Sequence, residues 1–149
     1  MAGKMTTPRI RVAAIIVRDG MVLLVQHAKN GRTYWMLPGG GVDTGEALDA
    51  ALRRELREEA CVTIDVGELA LANDSIEPGG GRHILNLYFT ATIAAGEPML
   101  GNDPRIVDIA FLPIEALERI ALFPPVAPEL LALLQGGRGP VYIGNRWSP

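Results

Sequence analysis

The chain has 149 residues, of which 48% are apolar and 21% are charged, and its net charge at pH 7 is -3. This composition is typical of a folded globular protein and excludes an intrinsically disordered chain. The acidic balance argues against a long nucleic-acid partner, because such a partner requires a basic surface.

Cys61 is the only cysteine in the sequence, so an intrachain disulfide is impossible and a cysteine-built zinc site is not expected. The first twenty residues contain no sustained apolar segment, and no later run is long enough to cross a bilayer. We therefore expect a cytoplasmic protein without membrane contact. A single domain over residues 1–149 is expected, with its core at about 8–135 and a C-terminal tail at 136–149.

The first third of the chain predicts short strands. Residues 10–16 form the first, Asp19-Gly20 makes a hairpin turn, and residues 21–26 return as the second. The polar residues 27–34 predict a connection, and Trp35 begins a short strand that Pro38 and three glycines end.

A helix is predicted from Glu46 to Ala60. Asp43 or Thr44 is expected as its N-cap, because Asp43 and Glu46 have the spacing of a capping box. Its apolar stripe consists of Leu48, Ala51, Leu52 and Leu56.

The second half predicts three more strands and two short helices. The strands cover residues 62–72, with a bend at Gly67, then 83–93 and 106–112. Pro113 opens a short helix that ends near residue 120, and the last helix covers 127–135 before Gly136-Gly137. This order predicts an α/β (α+β) fold, in which helices cover a mixed sheet.

Three carboxylates crowd onto the predicted first helix. Glu55, Glu58 and Glu59 fall within an arc of about 100°, and each like-charge pair costs about 0.2–0.5 kcal/mol in an exposed helix. One interpretation is a solvated charged face. The other is a divalent-cation site, since clustered carboxylate oxygens suit magnesium or manganese.

The residues around these glutamates resemble the Nudix box, G-x5-E-x7-R-E-U-x-E-E-x-G-U, where U is a bulky aliphatic residue. The positions in register are Gly40, Glu46, Arg54, Glu55, Leu56, Glu58, Glu59 and Val62. Cys61 replaces the second glycine of the pattern. The chain is identified as a member of the Nudix hydrolase family, similar to its MutT-like and ADP-ribose pyrophosphatase-like members.

The resemblance implies an α/β/α sandwich that hydrolyses a nucleoside diphosphate linked to another group, using Mg²⁺ or Mn²⁺. It also implies four metal ligands, which are the side chains of Glu55, Glu58 and Glu59 and the carbonyl of Gly40. Arg54 and Glu46 match the ion pair that orients these carboxylates. Their contact requires Arg54 to reach back along the helix, since eight helical residues span about 12 Å.

The general base is the least determined residue. In some family members the glutamate that matches Glu55 performs this role, and in others a carboxylate from a later loop does. Asp103, Asp108 and Glu97 lie in that later region. We expect Glu55 to be the base and retain Asp103 as an additional acid/base or metal contact.

The substrate is expected to be a small nucleotide. Pro78 matches a proline of ADP-ribose-hydrolysing members, which favours ADP-ribose or a related nucleotide sugar, although turn chemistry alone explains a proline before three glycines. A MutT-like (d)NTP pyrophosphohydrolase and a non-catalytic nucleotide-binding module are the alternatives.

Residues outside the box leave further questions open. His27 and His83 are weak signals of a ligand role. His83 lies in phase with a core-facing series, so it is interpreted as a structural histidine rather than a ligand. Trp147 needs a surface to bury against, either its own domain, a ligand or a second subunit, so a homodimer stays open. At Cys61 a glycine-like φ would impose strain.

Overall fold

The computed structural model describes residues 7–149, and over that range it contains nine strands, two α-helices and a 3₁₀ helix. In chain order the elements are β1 (Arg9–Ile15), β2 (Val17–Arg18), β3 (Met21–Lys29), β4 (Arg32–Met36), β5 (Gly39–Gly41), α1 (Leu48–Ala60), β6 (Thr63–Ile76), β7 (His83–Ala95), β8 (Ile106–Pro113), the 3₁₀ helix (Ile114–Glu118), α2 (Ala127–Leu134) and β9 (Tyr142–Asn145). No helix among these residues has the length and apolar character needed to span a membrane.

The strands divide between two sheets. The larger has the order β5-β1-β7-β6-β9, and in the smaller β3 pairs with β2, β4 and β8. The β1/β7 and β6/β9 pairs are parallel and the others are antiparallel. The expected α/β fold with a mixed sheet is confirmed.

Two sequence expectations about the first strands are wrong. Residues 10–16 were expected to pair with residues 21–26 as a hairpin, yet β1 pairs with β5 and β7 in the other sheet. The hairpin at Asp19-Gly20 joins only the short β2 to β3. The polar segment 27–34 is not a plain connection either, because Asn30 and Gly31, with φ of 53° and 75°, form a tight turn between β3 and β4.

Helix α1 begins later than predicted. It starts at Leu48, its N-cap is Ala47, and no side chain caps it, so neither Asp43 nor Thr44 serves as the cap. The carboxylate of Glu46 instead accepts a hydrogen bond from the backbone N–H of Asp43 and helps to fold the preceding turn. The difference arises because Glu46 is held by Arg54 outside the helix.

The large sheet is covered on both faces. On one face, α1 buries Ala51, Leu52 and Leu56 against alternate residues of β1 and β7. On the other face, Ala13 and Tyr88 lie in a second cluster that includes residues of β3 and α2. Strand β3 contributes residues to both clusters, so the two sheets together lie between α1 on one face and α2 on the other.

The C-terminal segment adds a strand to the large sheet. Strand β9 pairs with β6 next to Ala72 and Asp74. Beyond it, the backbone carbonyl of Arg146 accepts a hydrogen bond from Ser75, and the ring of Trp147 packs edge-on against Phe123 at 6.3 Å. Trp147 therefore packs on its own chain.

Candidate active site

A cavity of about 290 Å³ lies at the β5 edge of the large sheet. Its lining residues are Glu55, Glu58, Glu59, Asn102 and Asp103. The three glutamates come from the last two turns of α1, and the other two residues come from the loop between β7 and β8. The cavity therefore gathers four carboxylates from two segments that are separated by more than forty residues in sequence.

The α1–loop junction is fixed by backbone contacts. The N–H groups of Met99 and Gly101 donate to the carbonyls of Ala60 and Glu59, at 3.1 and 3.3 Å. A Cβ at Gly101 would overlap the backbone carbonyl of Glu58. These bonds satisfy carbonyls that the end of a helix leaves free, and they hold the loop close to the carboxylates.

Arg54 is the central cation of the candidate site. Its Nε and Nη2 donate to the two oxygens of Glu46, both at 2.8 Å, so this pair is bidentate. Its Nη1 donates to Glu55 at 2.8 Å and to Glu58 at 3.4 Å, and its Nη2 also reaches the carbonyl of Gly41 at 3.0 Å. One guanidinium thus ties the turn before α1 to two cavity carboxylates.

The predicted contact between Arg54 and Glu46 is present, and the interaction shifts the pKa of each group. Hydrogen bonds from Arg54 lower the pKa of Glu46 to about 2. The Glu46 and Glu55 carboxylates in turn raise the pKa of Arg54 above its ordinary value. Both groups therefore keep their charge across the range in which enzymes operate.

Glu59 is the most enclosed of the cavity carboxylates. Its Oε1 accepts a hydrogen bond from the backbone N–H of Gly39 at 3.0 Å. Burial raises the pKa of Glu59 to about 7, and the nearby charge of Arg11 opposes that rise. A buried carboxylate with one backbone donor lacks a strong counter-charge, and a bound cation would supply it.

Glycines at β5 allow this close approach. A Cβ on Gly40 would overlap the carboxylate of Glu55, whereas a Cβ on Gly39 would overlap the backbone carbonyl of Val12. Gly39 is therefore required for the β1/β5 contact, and Gly40 for the position of Glu55.

The three candidate carboxylates that follow β7 in the sequence lie at different distances from the cavity glutamates. Asp103 lines the cavity, but both of its oxygens accept hydrogen bonds from Arg105, which lower its pKa. Asp108 lies on β8 and accepts from the N–H of Ile109. Glu97 is exposed and pairs with Arg18. Of these three residues, only Asp103 is beside the glutamates.

Other candidate residues lie away from the cavity. His83 is bonded through Nε2 to Asp74 at 2.6 Å, as expected for a structural histidine. Pro78 lies in the exposed turn between β6 and β7. Sequence reasoning missed Asn102 and the Gly39 N–H, because neither a lone asparagine nor a backbone donor has a sequence signal.

The donor set suits a hard divalent cation. Four carboxylates face one cavity, and carboxylate and carbonyl oxygens are the ligands that Mg²⁺ and Mn²⁺ favour. Within residues 7–149, however, no three His, Cys, Asp or Glu side chains are already gathered in metal-binding geometry. Glu55 and Glu58 are directed toward Arg54, and Glu59 toward Gly39.

A family model described as the NUDIX domain matches residues 7–134. The chain is a Nudix hydrolase. Enzymes of this family generally use divalent metals and act on small nucleotide substrates, which agrees with the carboxylate cavity.

Curated relatives of this Nudix hydrolase differ in their named substrates. An ADP-ribose pyrophosphatase of Methanocaldococcus jannaschii is 28% identical over 76% of this chain and 67% of its own length. An oxidized purine nucleoside triphosphate hydrolase of Danio rerio is 31% identical over 76% of this chain and 74% of its own length. These relatives support the hydrolase class and differ on the substrate.

A solved structure shows the same fold. A NUDIX hydrolase from Nitrosomonas europaea superimposes with a TM-score of 0.77, covering 91% of this chain and 94% of that one. Its sequence identity is 23%, so it supports the fold alone.

Proposed function

We propose that this Nudix hydrolase cleaves the diphosphate bond of ADP-ribose or a related nucleotide sugar, with Mg²⁺ or Mn²⁺ as its cofactor. The observation that carries the proposal is the convergence of four carboxylates on one cavity, in which Arg54 contacts two of them. The choice of substrate is supported by the relative named ADP-ribose pyrophosphatase.

The metal would be held by Glu55, Glu58 and Glu59, with the carbonyl of Gly40 completing the shell. When bound, a divalent cation neutralises the diphosphate and lowers the pKa of a coordinated water. The protein supplies position and charge: Arg54 orients Glu55 and Glu58, and Glu46 anchors Arg54 through its bidentate pair.

Glu55 is the general base in this proposal. One of its oxygens, Oε1, accepts from Arg54, while Oε2 has no hydrogen-bond partner within residues 7–149. Asp103 is the weaker candidate, because hydrogen bonds to Arg105 occupy both of its oxygens and lower its pKa. A base with a lowered pKa takes a proton less readily. Asp103 is retained as an additional contact in the cavity.

A MutT-like activity on (d)NTPs is the second candidate. It is favoured by the relative named oxidized purine nucleoside triphosphate hydrolase, which is 31% identical over 117 residues. A non-catalytic nucleotide-binding module is a weaker alternative, because such a module needs none of the box carboxylates that this chain retains.

A hydrolysis screen tests the proposal. The purified chain is assayed with Mg²⁺ and with Mn²⁺ on ADP-ribose, other nucleotide sugars, dinucleoside polyphosphates and (d)NTPs. We expect AMP and ribose 5-phosphate to be released from ADP-ribose, and EDTA to abolish their release. Faster turnover of (d)NTPs would favour the second candidate, and binding without turnover on the whole panel would favour the module.

The base assignment needs its own variant. Glu55→Gln keeps the size of the side chain, and we expect it to lower kcat by about 10²–10⁴-fold. Glu118→Gln, at an exposed position on the 3₁₀ helix, is the matched control. A fall of less than about tenfold in Glu55→Gln, with Asp103→Asn inactive, would move the base to Asp103.

A further inference from the structure

A second cavity, of about 460 Å³, lies between α2, the segment 137–140 and strands β6 and β9. It is larger than the carboxylate cavity, and the two share no lining residue. Volumes of this size are typical of small-molecule sites, which occupy about 300–1,000 Å³. The proposed hydrolysis therefore leaves the larger of these two cavities without a role.

The floor of the second cavity is apolar. Leu71 of β6 is buried, and Leu133 of α2 and Ile143 of β9 are half-buried. All three side chains belong to the second core cluster, so the floor is the outer surface of a packed core. Such a floor offers dispersion contacts to the apolar part of a ligand.

Hydrogen bonds fix both walls of the second cavity. On the α2 side, the N–H of Gly137 donates to the carbonyl of Ala132 at 2.8 Å. On the β9 side, the N–H of Arg146 donates to the carbonyl of Asp74 at 2.7 Å, and its carbonyl accepts from Ser75 at 2.8 Å. A cavity between fixed walls is formed before a ligand arrives, which lowers the entropy cost of binding.

Tyr142 adds an aromatic wall to the second cavity. The residue is 57% exposed, yet its hydroxyl donates to Asp74 at 2.6 Å. Nε2 of His83 lies 2.6 Å from the other oxygen of the same carboxylate. These bonds hold the phenol ring in one orientation, so it can contact a ligand with little further loss of side-chain entropy.

The charged groups of the second cavity have a net positive charge. Its lining contains two arginines, Arg138 and Arg146, and one carboxylate, Glu129. Nη1 of Arg146 donates to Glu129, whereas its Nε and Nη2 have no partner within residues 7–149. Arg138 is exposed and forms no ion pair in the described part of the chain. Two guanidinium groups with free donors suit a carboxylate, which accepts paired N–H bonds.

We propose that the second cavity binds a small monocarboxylate with an apolar body. The body lies on Leu71, Leu133 and Ile143, and the carboxylate pairs with Arg138 and with the free donors of Arg146. The single excess positive charge of the lining matches one carboxylate better than a phosphate chain with several charges. The inference is independent of the proposed function, because the second cavity contains no residue of the carboxylate cavity.

Two fluorescent probes of similar shape test the charge requirement. Anilinonaphthalenesulfonate is a monoanion whose sulfonate stands in for the carboxylate, and phenylnaphthylamine has the same apolar body without a charge. Each probe is titrated into the wild-type chain and the variants, and its fluorescence rises in an apolar cavity. We expect Arg146→Gln to weaken the anionic probe by about tenfold or more, as for a lost charge-assisted hydrogen bond.

Arg138→Gln weakens the anionic probe by about 2- to 5-fold, because an exposed ion pair contributes less than a half-buried one. Binding of the neutral probe stays unchanged in both arginine variants. Arg119→Gln is the matched control, since it removes an exposed arginine outside the second cavity and changes neither affinity.

Competition identifies the ligand class. Decanoate and decanol share an apolar chain and differ in the charge of the head group. We expect decanoate to displace the bound anionic probe, decanol to do so more weakly, and AMP to have no effect. Displacement by AMP would place the probe in the nucleotide site and would overturn the inference.

A blocking variant locates the bound probe. Ala132 lines the second cavity and is exposed on α2, so the ring of Ala132→Trp occupies the cavity and removes binding of both probes. Melting curves establish that each variant is folded. Unchanged binding in folded Ala132→Trp, or equal affinity of the wild-type chain for the two probes, would contradict the proposed site. Failure of the proposed function would appear in the hydrolysis screen and would leave these titrations unaffected.

Discussion

The polar side chains at the two edges of the large sheet differ in charge and in how completely they are hydrogen-bonded. At the β5 edge, negative charges outnumber the cations that contact them: Glu55 and Glu58 share Arg54, and Glu59 has one backbone donor. Near the β9 edge, buried polar groups are uncharged and bonded to one another. Tyr88 donates to Asn73, and Asn86 donates to Ser75.

The β9 edge stabilises the fold, whereas the β5 edge destabilises it. A buried polar network with its bonds made fixes one packing, whereas a cluster of like charges without counter-ions opposes folding. A sequence tolerates the second arrangement where an external partner completes it. We therefore expect the incomplete edge to be the catalytic one. The complete edge anchors β9 and the segment that follows it.

The largest expected effect comes from glycine at the β5 edge. We expect Gly40→Ala to stay folded, because the three atoms nearest to its new Cβ all belong to the movable carboxylate of Glu55. Its hydrolysis falls by about 100-fold, the usual result of displacing a catalytic group by about 1 Å. Kinetics and a melting curve measure the two properties separately.

Gly39→Ala is the matched comparison. Its Cβ meets the backbone of Val12 and Ala13, which cannot rotate away. We expect a loss of about 1–3 kcal/mol in the free energy of unfolding. Equal stability for both variants would contradict the role of Gly39 in the β1/β5 contact. Full activity in Gly40→Ala would contradict the role of Gly40 in positioning Glu55.

The next effect concerns the polar network. Tyr88→Phe removes the donor to Asn73, leaving a buried amide oxygen unpaired, and we expect the free energy of unfolding to fall by about 1–3 kcal/mol. Activity stays close to wild type, because none of the network residues lines the cavity. Tyr142→Phe, which removes an exposed hydrogen bond to Asp74, is the control with a smaller loss. Denaturant titration at neutral pH measures both.

A smaller effect is expected where α1 ends. Cys61 has a φ of 58°, a left-handed conformation that strains a residue with a Cβ. We expect Cys61→Gly to raise the free energy of unfolding by about 0.5–1 kcal/mol and to leave activity intact. Cys61→Ala keeps a Cβ in the left-handed conformation, so its free energy of unfolding should not rise. A loss of turnover in folded Cys61→Gly would give the thiol a role that the proposed mechanism does not require.

The smallest effect is a pH dependence at the β9 edge. Hydrogen bonds from His83 and then Tyr142 lower the pKa of Asp74 below its ordinary 3.8. Its contribution to stability is therefore complete above that value and is lost as pH falls through the lowered pKa. Asp74→Asn should be destabilised by less than about 1 kcal/mol at pH 7, and its deficit should shrink below pH 4. A constant deficit in acid melting experiments would contradict the assignment.

The sequence predicts which residues form the candidate site far better than it predicts how the strands pair. The positions from Gly40 to Val62 lie within one local segment, so their spacing alone predicts which side chains share a helix face. The structure brings Glu55, Glu58 and Glu59 to one cavity and joins Arg54 to Glu46. Their metal and catalytic roles remain predictions.

Strand pairing depends on distant contacts that no local pattern reveals. Strand β1 joins β7 more than seventy residues later, and the signal from Asp19-Gly20 suggested a neighbouring partner instead. The Asn30-Gly31 turn did have a local signal, but the polar residues around it suggested a loop.

The left-handed end of α1 also makes Cys61 a useful reporter position. The thiol is exposed, and it is the only cysteine of the chain, so a fluorophore or nitroxide would attach at one place. That place is two residues after Glu59 and adjoins the carbonyl of Leu100. A spin label there would be broadened by paramagnetic Mn²⁺ in the carboxylate cavity, which gives a readout of ion occupancy that needs no turnover.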